Sequence, residues 1–118
     1  MIKTRVLVCG SRYWKDYRKI YNTLGTLDSK KTIIVHGACK GADQLAGIAA
    51  KALGMEVEEY PADWDKYGKA AGPIRNVQMA ETGINHGFAF HENYDKSKGT
   101  KHMVSELKKR NVPVEIIK

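Results

Sequence analysis

Two short apolar runs, residues 5–9 and 32–36, stop at Gly10 and Gly37, and each gives way to a segment whose apolar residues recur at helical spacing. Continuous apolar runs of this length, bounded by turn signals, mark strands buried on both faces. A repeated strand, tight turn and helix leave few architectures open, because parallel strands need crossovers and the crossover helices must cover the sheet. Residues 57–60, 87–90 and 114–117 complete five candidate strands. Tyr17, Ile20, Tyr21 and Leu24 define one face of a first helix. Ala42, Leu45, Ala46, Ala49 and Leu53 do the same for a second, which Gly54 is placed to stop. A third helix is expected over 73–81, with Pro73 at its first position, and a fourth over 100–110, with Met103, Val104 and Leu107 inward and basic residues at its end. The expectation is one α/β domain over residues 1–118: a Rossmann-like, three-layer arrangement with a mainly parallel five-stranded sheet and right-handed crossovers. A chain of 118 residues, 42% hydrophobic, suits one core and leaves little room for a second.

No stretch approaches the ~18 apolar residues of a membrane span, and the apolar run near the start is too short for a signal peptide. Two cysteines, Cys9 and Cys39, are a poor match to a secreted disulfide scaffold. A soluble cytoplasmic protein with reduced thiols is expected. The formal charge of +7 favours anionic partners without choosing among free nucleotides, nucleic acid and acidic proteins.

Ligands of open parallel sheets sit beyond the carboxyl ends of the strands, which turns attention to three junctions. Gly10-Ser11-Arg12 offers a tight turn, a hydroxyl and a guanidinium fork; alone it is also an ordinary glycine turn. His36-Gly37-Ala38-Cys39-Lys40-Gly41-Ala42-Asp43 is the best local signal, since its glycines and small residues let backbone N–H groups approach a phosphate at a helix N-terminus, with Lys40 adding a charge. Asp43, in the first turn, either contacts ligand hydroxyls or offsets the helix dipole. Ser97-Lys98-Gly99-Thr100 opens the last helix, either as a third wall of the same site or as a plain helix start. Between the third strand and third helix, Asp63 and Trp64 begin a polar, glycine-rich segment in which Trp64 or Tyr67 can stack on a base or simply pack the loop down. Arg75 and Asn76 follow, where a guanidinium reaches either phosphate or a surface partner. Neither the Walker A spacing nor the dinucleotide fingerprint is present, the four histidines lack metal-ligand spacing, and no nucleophile elbow is visible. No cofactor or metal is therefore expected.

Taken in order, Val8-Cys9-Gly10-Ser11-Arg12, Val35-His36-Gly37-Ala38-Cys39-Lys40-Gly41-Ala42-Asp43-Gln44-Leu45-Ala46, Ala62-Asp63-Trp64 with Gly68-Lys69 and Gly72, Arg75-Asn76 with Met79, and Gly99-Thr100 resemble the SLOG superfamily, specifically the small YspA-like SLOG proteins of bacteria and phages. The resemblance covers nearly the whole chain. It implies a nucleotide-binding domain whose Gly37 to Asp43 loop, Arg75 and Gly99-Thr100 turn hold a phosphate and ribose, and it implies a homo-oligomer. The superfamily is similar in fold to Lonely Guy phosphoribohydrolases, to DNA-processing proteins that bind single strands, and to sensors of nucleotide signals. The hydrolase signature P-G-G-x-G-T-x-x-E is departed from: Ser97-Lys98 precede Gly99-Thr100, and the glutamate position holds Met103, which cannot act as acid or base. A binder that senses or sequesters a nucleotide or nucleotide-derived signalling ligand is the leading expectation. An N-glycosidase using Asp43 or Asp63 with Arg75 comes second, and a single-stranded nucleic-acid binder third.

Overall fold

The computed structural model describes residues 2–118. Five strands, β1 (Thr4–Gly10), β2 (Thr32–His36), β3 (Glu56–Glu59), β4 (His86–Phe90) and β5 (Val114–Ile117), form one sheet in the order β3-β2-β1-β4-β5, and every neighbouring pair is parallel. Leu7 pairs with Val35 on one side of β1 and with Gly87 on the other. The helices are α1 (Tyr17–Leu24), α2 (Ala42–Ala52), α3 (Trp64–Tyr67), α4 (Ala71–Glu81) and α5 (Gly99–Lys109).

Alternation along the strands sorts the core into two layers. Val6 and Val8, Ile34, and Phe88 and Phe90 face α1 and α2, where they meet Ile20, Leu24, Ala46, Ala49 and Ala50. Leu7 and Cys9, Val35 and Ala89 face α4 and α5, where they meet Met79, Ala80, Met103, Val104 and Leu107. The alanines of α2 let that helix lie close to the sheet. The strand order reverses direction at β1 and β4, so a crevice opens beyond their carboxyl ends. Among the described residues, no helix is long and apolar enough to cross a membrane.

Three local expectations change. Tyr21, assigned to the inner face of α1, is exposed, because Ile20 and Leu24 already fill the space above Val6 and Val8. The third long helix begins at Ala71 rather than Pro73; Pro73 still sits in the first turn, where its missing N–H is not needed. The polar segment before it is not a loop throughout. Asp63 caps the single turn of α3 by accepting from Lys66 N at 3.1 Å, and a 3-10 turn, Gly68–Ala70, joins α3 to α4.

Candidate functional site

The turn after β1 and the loop after β2 are interlocked. Gly10 has φ 155°, and a Cβ on it would fall 2.0 Å from the Phe90 carbonyl oxygen, so no side chain fits there. Ser11 is buried, its N–H donating to Phe90 O at 2.9 Å and its hydroxyl accepting from Tyr13 N at 3.0 Å. Its carbonyl accepts from Ala42 N at 3.0 Å, which ties the start of α2 to the β1 turn. Gly41, at φ 77°, lies so close to this turn that a Cβ would sit 2.3 Å from Ser11 O. Arg12 is exposed, with its guanidinium 5.5 Å from the Tyr13 ring centre.

The Gly37 peptide is gripped from both ends. Asp43 Oδ2 accepts from Gly37 N at 3.0 Å and from Cys39 N at 3.2 Å. Arg75 Nη1 donates to Gly37 O and, at 3.3 Å, to Tyr60 O, while Nη2 lies 3.5 Å from Cys39 Sγ. Gly37 lacks a side chain because the guanidinium occupies that place: a Cβ would lie 2.5 Å from Nη1. Asp43 and Arg75, the two charged groups here, are both buried. Burial pushes the Asp43 carboxyl up to about 6, against the opposing pull of the Cys39 and Gly37 amides and of Arg75. Burial also raises the Cys9 thiol. Ala38 takes φ 59°, a conformation costly for a residue with a Cβ, and its N–H donates to His36 Nδ1 at 3.0 Å. Burial holds His36 below the usual imidazole value; its Nε2 lies against Gly47 without a hydrogen-bond partner.

On the other face of the sheet, Asn76 is buried and links Arg75 to α5: Arg75 Nε donates to Asn76 Oδ1 at 3.0 Å, and Asn76 Nδ2 lies 3.1 Å from His102 Nδ1. Thr100 is buried, whereas Gly99 is exposed and a Cβ on it would meet nothing within 4 Å. Met103, at the hydrolase glutamate position, is a core residue.

All strands being parallel, the Gly10, Gly37 and Gly99 segments lie at one edge of the sheet. Neither α2 nor α5 has a side-chain cap, and the positive dipole ends of both face that edge; in α2, however, Ala42 N donates to Ser11 O at 3.0 Å and Gln44 N to Cys39 O at 3.2 Å. Lys40, Lys98 and Arg12 are exposed around it. Trp64 is 57% exposed; only its rim reaches Gly72, whose Cβ would lie 3.4 Å from the indole. The candidates thus divide. Gly10, Ser11, Gly41 and Ala42 build the floor; Gly37, Ala38, Asp43, Arg75 and Asn76 shape the loop; Arg12, Lys40, Gly99 and Trp64 are presented outward. Asp63 serves α3 as its cap. Sequence reasoning passed over Tyr13, 70% exposed beside Arg12, and the contact between Asn76 and His102. An aromatic next to the Gly10-Ser11-Arg12 turn was a readable signal for Tyr13, whereas a contact between residues 26 positions apart leaves none.

The family described as YAcAr, the YspA, cpYpsA-related SLOG family, matches residues 4–67. The Gene 61 protein of Mycobacterium phage D29 is 34% identical over 118 residues, covering 93% of each chain. DNA processing protein A of Streptococcus pneumoniae superposes with a TM-score of 0.78 at 18% identity, over 98% of this chain. The chain spans half of that protein's length.

Proposed function

The chain belongs to the YspA, cpYpsA-related SLOG family, and from that footing we propose that it binds a nucleotide or nucleotide-derived signalling ligand, sensing or sequestering it, at the carboxyl edge of the sheet. The observation that carries the reading is the pair of helix N-termini without side-chain caps, α2 and α5, flanking the crevice between β1 and β4. The first-turn amides of α5 and the dipole ends of both helices suit a phosphate, Arg12 and Lys40 suit its charge, and the open face of Trp64 suits a base. The two carboxylates considered for glycosidic cleavage are otherwise engaged, Asp43 with loop amides and Asp63 as a cap.

Calorimetry over nucleotides, cyclic nucleotides and ADP-ribose derivatives, with amide shift mapping by NMR, tests this. Saturable binding that moves the Gly41, Asp43, Gly99 and Thr100 amides is expected. Silence across that panel, with salt-sensitive binding to oligonucleotides that strengthens with length, refutes it in favour of nucleic acid. Release of free base makes the protein an enzyme. The reading includes a cytoplasmic setting, which the unpaired Cys9 and Cys39 suit. It also includes a homo-oligomer, supported by exposed Ile48 and Ile116; light scattering that finds a monomer at high micromolar concentration removes that part.

A further inference from the structure

A guanidinium donates through every N–H and accepts through none. Arg75 therefore dictates the polarity of the groups beyond it. Its Nε donates to Asn76 Oδ1 at 3.0 Å, so the amide must present Nδ2, a donor, to His102 Nδ1 at 3.1 Å. A ring nitrogen that receives a donor carries a lone pair. In this arrangement the neutral ring of His102 holds its proton on Nε2, which lies 3.7 Å from Glu106 Oε2. The charged groups around the ring are Arg75 from α4 and, from α5, Glu106 with its partners Lys109 at 2.9 Å and Arg110 at 3.0 Å.

We infer that Asn76 and His102 are positioning residues that set the β2–α2 loop through Arg75, and that ligand affinity follows the protonation of His102. The statement about affinity rests on the nucleotide reading; the statement about the loop does not. A proton on Nδ1 leaves the ring with no acceptor, so Asn76 must turn Oδ1 toward His102. Its NH2 group then meets Arg75 Nε–H, two donors with nothing between them. Arg75 loses the bond that aims it at the Gly37 carbonyl and the Cys39 thiol. His102 lies three residues beyond Gly99, so one proton at the start of α5 reaches the loop that starts α2.

The experiment follows three signals against pH by NMR: the carbon-bound ring protons of His102, Arg75 Nε–H and the Gly37 amide. It is run on the wild type and on His102→Asn, whose Oδ1 offers an acceptor near the Nδ1 position and takes up no proton. Asp43 accepts from the Gly37 amide and adds its own inflection, which Asp43→Asn identifies. In the wild type, Arg75 Nε–H and Gly37 N–H should shift with the His102 midpoint, and in His102→Asn that component should vanish. If neither signal follows the His102 ring, or both variants behave alike, the inference is overturned. A second arm measures AMP affinity by calorimetry. Affinity should fall roughly tenfold as His102 gains its proton and should lose that step in His102→Asn, a comparison that cancels titration of AMP itself. AMP binding indifferent to His102 overturns the affinity statement. No AMP binding, with the NMR coupling present, leaves the positioning role standing and counts against the nucleotide reading instead.

Discussion

Removing Arg75 should unfold the protein far more readily, and it should do so in the absence of any ligand. Arg75 is 8% exposed, and its guanidinium donates to Gly37 O, Tyr60 O and Asn76 Oδ1, with Cys39 Sγ as a weaker fourth contact. Arg75→Ala leaves carbonyls without donors inside the protein and strips the buried Asp43 of its nearby positive charge. Breaking a buried, hydrogen-bonded charge of this kind costs about 3–5 kcal/mol. For 118 residues, 1 kcal/mol corresponds to about 4 °C, so the melting temperature should drop by about 12–20 °C. Arg75→Lys should recover only part of this, because an ammonium cannot fork between the carbonyls of Gly37 and Tyr60 while bonding Asn76. Urea denaturation and thermal melts of the unliganded variants decide the matter. A surface-placed phosphate ligand would show the opposite pattern: apo stability within ~0.5 kcal/mol of wild type and only binding affected. That result would refute the strut and return Arg75 to the ligand's side of the site.

Asp43 titrates at about 6 in the fold against an ordinary 3.8, so the folded state holds its proton more tightly than the unfolded one. Its stabilising contribution is complete below pH ~4 and is lost as pH rises through about 6. Asp43→Asn, which keeps an acceptor for the Gly37 and Cys39 amides, should flatten that fall and be no less stable than wild type at pH 7, a gain of up to ~3 kcal/mol in urea melts; a clear loss at pH 7 would contradict this. Gly41→Val should cost ~3 kcal/mol or more in thermal melts, since the branched side chain collides with Ser11 O and suits φ 77° poorly; a fold of unchanged stability would count against the interlock. Trp64→Ala should leave stability within ~0.5 kcal/mol and weaken nucleotide binding roughly tenfold, measured by calorimetry; unchanged affinity removes Trp64 from the site.

The sheet could be read in advance because β1 and β2 are uninterrupted apolar runs ended by glycine, a pattern that buried parallel strands impose directly on residue type. β3 reads Glu-Val-Glu-Glu and is an edge strand whose charges are paired, Glu56 with Lys3 and Glu58 with Arg5, so its bounds were less visible. The loop glycines were read as places where backbone lets a phosphate approach, but the protein group that crowds three of them was not legible. At Gly10 it is the Phe90 carbonyl, at Gly41 it is Ser11, and at Gly37 it is Arg75. Asp43 and Arg75 show the same difficulty. A buried charge and a ligand-facing charge look identical in a sequence, and only their hydrogen-bond partners tell them apart.

β1 is made first yet lies at the centre of the sheet, with β2 on one side and β4 on the other. During synthesis, β2 follows within a few tens of residues, but residues 86–90 leave the ribosome only after some seventy-five more have been added beyond Gly10. At ~5–20 residues per second, one flank of β1 stays open for ~4–15 s, offering unpaired amides and carbonyls to any passing strand. The Gly10 turn cannot close in that interval either, because the Phe90 carbonyl that anchors it does not yet exist. The carboxyl edge of the sheet is therefore among the last parts of the nascent chain to take shape.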